Sequence, residues 1–528
     1  MTKSILSTLL GFLFSVQALV AQSNLQLLDT VIITNQRLSG CWHYTDSVGH
    51  EYGLIGAEDG IAFLDITNPS QSSFLFQLPG NRSIWHEVKV RGNYAYAVSE
   101  GVDTNGIMNG VQIMDLRFLP DSVPYKFWKG DGLILDQLIK AHTITVDSDL
   151  MFVNGHNITS LGNGVLICSL TDPWNPAFIG AVVNNYSHDS YVRGNKLFSS
   201  EIFAGQFSVY DITNPSSPAL LASQVTPGAF NHNTWLNDAG TVLFTTDEQS
   251  NSPVAAYDVT DLTNITLLDK YFTEMMPGRE VHNVRVKDDY LINPSYGSQL
   301  TIADASRPGN MVEIASYPTG FYLCWDADPY LASGAILATD MNSNTVFLFQ
   351  PDYFRACYLE GTVSDSISGL PLSTVTVSLT GTVAVKQSDI TGRYATGNAL
   401  SGTFSVTFNK NGYNSKTIQG VSLVNGSVTV LDVQLAPANI GVGELDGLNR
   451  FGIFPQPADK YLRISEMPAT GISFMIADMA GRVHKSGLIG PSYIDGDRIF
   501  IEELPSGIYT LTIFSESIHA AGRITILH

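Results

Sequence analysis

The chain has 528 residues, a formal net charge of −21, 44% apolar residues and 10% aromatics. The surplus of 49 carboxylates over 28 Lys and Arg speaks against nucleic acid or anionic lipid as a partner, because both are bound through basic surfaces. Four cysteines are too few for a disulfide scaffold, and the apolar content supports sizeable cores over about three to four domains.

In chain order, residues 1–21 carry Lys3, the apolar run ILSTLLGFLFSV and then ALVA before Gln22. That pattern predicts a secretory signal peptide, with an apolar core too short for a membrane span. No later stretch reaches about 18 uninterrupted apolar residues, so no transmembrane segment is expected and the mature protein is placed outside the cytoplasm.

Residues 22–354 repeat one register. The stretch SIWHEVKVRGNYAYAVSEG, 83–101, puts a histidine at the head of a strand, and the pattern returns as CWHYTD, KAHTITVD, YSHDSYVR, FNHNTWLN, EVHNVRVK and LCWDADPY. The marked residues are His43, His86, His142, His188, His232, His282 and Asp326, spaced 43, 56, 46, 44, 50 and 44 residues apart. A period in the forties filled with short β-rich runs predicts propeller blades rather than helical repeats. Each copy holds four such runs except the last, which ends at TVFLFQ; NLQLLDTVI, 24–32, matches the missing outer strand and would close the ring. The expected fold is therefore all-β: a seven-bladed β-propeller closed by an N-terminal strand, followed by two small β-sandwich domains.

Asp65, Asp115, Asp211 and Asp258 end strands before Asn-Pro-type turns, where a short carboxylate can accept backbone N–H groups, so they are read as structural. Cys41 and Cys324 fall at one place in copies one and seven, so a disulfide between them and a pair of free buried thiols are both open.

These motifs, with GHEYGLIGAEDGIAFLDITNPS in the first copy, resemble the LVIVD-repeat propellers of secreted bacterial proteins called choice-of-anchor B. The resemblance implies a propeller ectodomain and brings no substrate with it. Residues 355–437, with YLEGTVSDSISGLPLSTVTVSL and SDITGRYATGNALSGTFSVTFNKNGY, look like a carboxypeptidase regulatory-like, transthyretin-type domain. WHEVK at Trp85 lacks the second histidine of an HExxH zinc motif. After a linker, 438–449, residues 450–528 carry FGIFPQPADKYLRI, DMAGRVHKSG and LPSGIYTLTIF, which are similar to the C-terminal sorting domain of type IX secretion, with Gln456 where the family turn has Asn. That resemblance implies export by the type IX secretion machinery as a partner, and release outside the cell or attachment to the outer-membrane surface.

The chemistry-bearing positions form two series. Beside the strand-head residues, Glu58, Glu100, His156, Glu201, Asp247 or Glu248, and Asp340 end the second strand of a copy, 13 to 16 residues on; the sixth copy has Ser295 or Tyr296 there. The start of one strand and the end of its antiparallel neighbour share an edge, so both series are expected at one mouth of the channel. Imidazole and carboxylate together suit zinc, iron, copper or manganese, and calcium where carboxylates dominate. A subset of His43, His86, Asp326, Glu58 and Glu100, or of His142, His188, His232, His156 and Glu201, with His282 also in the series, would hold such an ion. Three functions stay open: a secreted platform for an extracellular ligand or protein, a metal-dependent hydrolase or oxidoreductase, or an adhesin whose histidines only lock the blades. No nucleophile elbow, phosphate loop or CxxC motif is present.

Overall fold

The computed structural model describes residues 24–273, 280–297, 299–319, 323–438, 452–465, 472–490, 498–514 and 519–528. The proposed signal peptide and nearly all of the linker lie outside them. Seven antiparallel sheets occupy the first two thirds of the chain, and in six of them the strands pair in chain order. The seventh joins Cys324–Asp328, Ile336–Asp340 and Thr345–Pro351 to Leu25–Ile32, the first strand of the chain.

The innermost strands are Leu38–Thr45, His86–Arg91, Thr143–Asp147, Asp189–Arg193, Asn231–Leu236, Glu280–Val281 with Arg285–Lys287, and Cys324–Asp328. Consecutive sheets pack through these strands and the circuit returns from Cys324–Asp328 to Leu38–Thr45, giving an all-β, propeller-like arrangement. Seven apolar clusters fill the spaces between neighbouring sheets. One of them joins Leu38, Ile55 and Leu64 of the first sheet to Leu337, Val346 and Leu348 of the seventh. Strands covered on both faces read as continuous apolar runs, as in the wholly buried Glu51–Ala57, whereas the outer strand Ala219–Val225 is largely exposed. Each fully buried Leu, Ile or Phe in these interfaces contributes about 1.5–3 kcal/mol. The turn aspartates act as expected: Asp65, Asp211 and Asp258 each accept the backbone N–H two residues on, at 3.0, 2.8 and 2.9 Å.

Residues 357–435 form two further sheets around Leu359, Val363, Val377, Val406, Phe408 and Leu435. This unit is tied to the sixth sheet of the propeller-like part. Asp304, fully buried, accepts from Arg355 Nη1 at 2.9 Å, the Ala356 N–H at 2.8 Å and the Tyr358 hydroxyl at 2.6 Å, and Arg307 forks onto Glu360. The last unit also has two sheets, around Leu462, Phe474, Leu511 and Ile524. No helix among the described residues is long and apolar enough to cross a membrane.

All four cysteines are free and buried. Cys324 pairs with Asp340, whereas Cys41 Sγ lies against the carbonyl of Leu337, three residues away on that same strand and paired with Asp328, so the two thiols stand about 10 Å apart along the strand direction.

Candidate functional site

Pairing register fixes which residues are equivalent at the channel. In the fifth sheet Asn231 pairs with Asp247 and Asn233 with Thr246, so His232 bulges out between them. In the seventh, Cys324 pairs with Asp340 and Asp326 with Thr339, and the bulged residue is Trp325. Trp325, not Asp326, therefore matches His232. In the first sheet Ser39 takes the corresponding place: its carbonyl accepts from Thr339 Oγ1 at 2.6 Å as that of His282 accepts from Thr246 Oγ1 at 2.8 Å. The innermost strands thus carry three tiers of equivalent residues.

The first tier is Ser39, His86, His142, His188, His232, His282 and Trp325. Four of its imidazoles follow one another in a tilted series, the planes of neighbours 46–55° apart, with centroids 4.0 Å apart for His142 and His188, 4.1 Å for His188 and His232, and 4.2 Å for His232 and His282. Trp325 and Tyr296 cover the far face of His282 at 4.5 and 4.6 Å. His188 Nδ1 donates to the His232 carbonyl at 3.2 Å and His282 Nδ1 to the Trp325 carbonyl at 2.5 Å, so each ring ties its sheet to the next. These bonds place the proton on Nδ1 and leave Nε2 as a bare acceptor. His282 Nε2 is buried without a protein partner. Burial pushes the pKa of His282 down to about 3 and holds His188 and His232 well below the usual range, so all three are neutral at pH 7.

Glu248 faces this series. Its two oxygens lie 4.0 Å from His232 Nε2 and 4.0 Å from His282 Nε2, too long for hydrogen bonds. All three ligand atoms fall within 4.8 Å of one another, and among the described residues this is the one such group of three His, Cys or acidic side chains. An ion with bonds of about 2.0–2.2 Å needs its ligands within about 4 Å of each other, so a small contraction would complete the geometry. Burial raises the Glu248 pKa, and the Tyr296 hydroxyl opposes that by donating to the carboxylate. Two imidazoles and one carboxylate favour a transition metal over calcium, which prefers an all-oxygen shell.

The other expected ligands are distributed differently. His142 Nδ1 sits 2.6 Å from Glu100, and that bond lowers the Glu100 pKa. His86 turns its Nδ1 onto the Ser83 carbonyl at 3.2 Å and lies outside the series; burial brings its pKa to about 4. His156 is buried beside the third sheet, with Nδ1 accepting from the Ile158 N–H at 3.1 Å. Glu58 pairs with Arg82 at the surface. Glu201 is saturated by Asn185, Gln206 and Tyr210 at 2.7, 2.8 and 3.0 Å. Asp247 caps the 226–230 turn through the Gly228 and Phe230 N–H groups, and Asp340 accepts from those of Asn342 and Ser343. His43 and Asp326 do not join the histidines, because Gly40 and the bulge at Trp325 offset the apparent repeat. His43 lies four residues past the head of its strand against Asp328, at 2.7 Å. Burial opposes its protonation, but Asp328 more than offsets this and raises its pKa.

The second tier, one residue after the heads, is Gly40, Glu87, Thr143, Asp189, Asn233, Asn283 and Asp326. It is a polar belt: Asp189 accepts from Thr143 Oγ1 at 3.3 Å and Asn233 Nδ2 at 2.6 Å, and Asp326 accepts from Asn283 Nδ2 at 3.1 Å and Arg285 Nη2 at 2.9 Å. A side chain at Gly40 would crowd the neighbouring strand, since a Cβ there would lie 2.9 Å from the His86 carbonyl oxygen and against the Glu87 carboxylate. Glu87 is paired with Lys89, yet burial carries its pKa up to about 7.

The third tier, three residues after the heads, is Trp42, Lys89, Thr145, Tyr191, Trp235, Arg285 and Asp328. Sequence reading passed over it, although Trp42, Lys89, Tyr191, Trp235 and Arg285 are all large amphipathic side chains at one period-two position.

A family model for the carboxypeptidase regulatory-like domain matches residues 358–436, and one for the LVIVD repeat matches 202–226 and 278–319. No curated protein matches the chain. Solved structures similar to it include the WD40 β-propeller domain of Doa1, at 10% identity and a TM-score of 0.45, covering 62% of this chain and 98% of that one. The computationally designed Ika8 protein is similar at 10% identity and a TM-score of 0.43, covering 62% and 99%. The chain thus carries LVIVD repeats in a propeller-like, all-β part, followed by a carboxypeptidase regulatory-like domain.

Proposed function

We propose that the chain is a secreted or cell-surface binding protein, in which residues 22–354 form a closed seven-bladed propeller of the choice-of-anchor B kind. The 355–437 and 450–528 units are read as β-sandwiches, the second serving as the type IX sorting domain. At the histidine mouth of the channel the propeller holds a transition-metal ion through His232, His282 and Glu248.

The observation that carries the metal reading is the bare, neutral Nε2 of His282, buried without a partner and held by its Nδ1 bond 4.0 Å from a carboxylate. Removing a polar atom from water without a hydrogen bond costs about 1–3 kcal/mol, and coordination would remove that cost. A second reading, that the histidine series only locks the sheets, is favoured by the bonds from His188 and His282 to neighbouring carbonyls. Elemental mass spectrometry of the purified full chain separates the two. The metal reading expects near-stoichiometric zinc, iron or copper in the wild type and in His86→Ala, and loss from His232→Ala and Glu248→Gln. Absence of metal from the wild type after incubation with each ion, with the variants folded, would leave the locking role.

A further inference from the structure

On the far side of the polar belt, about 10 Å along the strands from the histidine heads, the third tier encloses a separate cavity of about 210 Å³. Trp42, Tyr191, Trp235 and Tyr330 wall it. Trp235 lies 4.7 Å from Tyr191 and 6.0 Å from Tyr330, and Tyr330 lies 5.9 Å from Trp42. All four are half-buried, so they form an open cup rather than a sealed core. Lys89 and Arg285 are buried in the lining, and the Nε–H of Arg285 has no hydrogen-bond partner although its Nη2 is held by Asp326.

The lining selects among ligand chemistries. A cation is disfavoured because two buried cations already stand in the lining and would repel it: Lys89 Nζ lies 4.5 Å from the Trp42 ring centre and the Arg285 guanidinium 4.9 Å from that of Trp235. An anion is disfavoured because Asp147 and Asp189 stand in the lining while its two cations, Lys89 and Arg285, are already paired with Glu87 and Asp326. A neutral ring with apolar C–H faces and hydroxyl groups remains: its faces lie against the half-buried aromatic walls, and the unpartnered Arg285 Nε–H in the lining offers a donor to its oxygens. The cavity is smaller than the usual 300–1,000 Å³ of drug-sized sites, so it suits one ring.

We propose that this cup is a second binding site, separate from the histidine mouth, for a neutral pyranose sugar, either free or at the end of a glycan chain. The test is saturation-transfer NMR on the full chain with the methyl glycosides of β-glucose, β-galactose and α-mannose, and with cellotriose, at millimolar concentration. Transfer to at least one probe is expected, falling about tenfold in Trp235→Ala and in Tyr191→Ala and unchanged in the surface variant Glu58→Gln. A stronger response to cellotriose than to the monosaccharides assigns the cup to chain ends, and the reverse assigns it to free sugar. Circular dichroism establishes that each variant is folded. No transfer from the wild type to any probe, or equal transfer in folded Trp235→Ala and Tyr191→Ala, overturns the proposal.

Discussion

Replacing Asp326 with alanine is expected to destabilise the propeller-like part by about 3–5 kcal/mol, because it strands the buried guanidinium of Arg285. Asp326 is fully buried and Arg285 is 2% exposed. The same carboxylate takes Asn283 Nδ2 at 3.1 Å and the Cys41 N–H at 3.3 Å, so it ties the sixth sheet to the seventh and the seventh to the first. The loss is read as a fall in the urea midpoint of the 22–354 transition at unchanged slope. The double variant Asp326→Ala with Arg285→Met should recover most of the loss, since removing both members of a buried pair leaves no orphaned charge. A double variant no more stable than the single one would place the cost in the Asn283 and Cys41 contacts instead.

Acid should weaken the same part steeply between pH 6.5 and about 4. Burial, the leading cause in each case, brings His86 and His156 to about 4 and His282 to about 3, and holds His188 and His232 well below the usual range. In the unfolded chain each titrates near 6.5, so above that value neither state carries the proton and these groups do not affect stability. Below it the unfolded chain binds protons that the folded chain excludes, so each of the five lowers stability, by up to about 2 kcal/mol at pH 5 for a histidine held near 4 or 3. His43 acts in the opposite sense: Asp328 raises its pKa, so its contribution is present below 6.5 and lost as pH rises through the folded value. One such group cannot balance five. The expected result is a urea midpoint that drops sharply from pH 7 to pH 5, and less sharply in His188→Gln. A flat profile would mean that the imidazoles are protonated in the fold, and would remove the neutral Nε2 on which the metal reading depends.

The repeat was legible because a propeller copies its register: the histidine heads, the Asp-ended third strands and the complementary first strand Leu25–Ile32 all appear as spacing in the chain. The site was legible only in part. Sequence spacing cannot show a bulge, so His43 and Asp326 look equivalent to His86, while pairing makes Ser39 and Trp325 the true matches. Nor can it separate Asp247 from its neighbour Glu248. One residue of difference turns the first into a turn cap and the second toward His232 and His282. The third tier stayed unseen because its members share size and amphipathic character, not residue type. Only the packing of separate sheets brings Trp42 and Trp235 into one cup.

The most direct test of the proposed metal site is X-ray absorption at the metal edge of the full chain loaded with one equivalent of zinc. Two imidazoles and a carboxylate predict a first shell of nitrogen and oxygen near 2.0–2.1 Å, with the multiple-scattering signature of two histidines and no sulfur. That signature should disappear in His282→Ala, which loses the site as His232→Ala does. A shell of oxygen alone, or one that contains sulfur or does not change in His282→Ala, would put the ion elsewhere on this acidic chain and contradict the account.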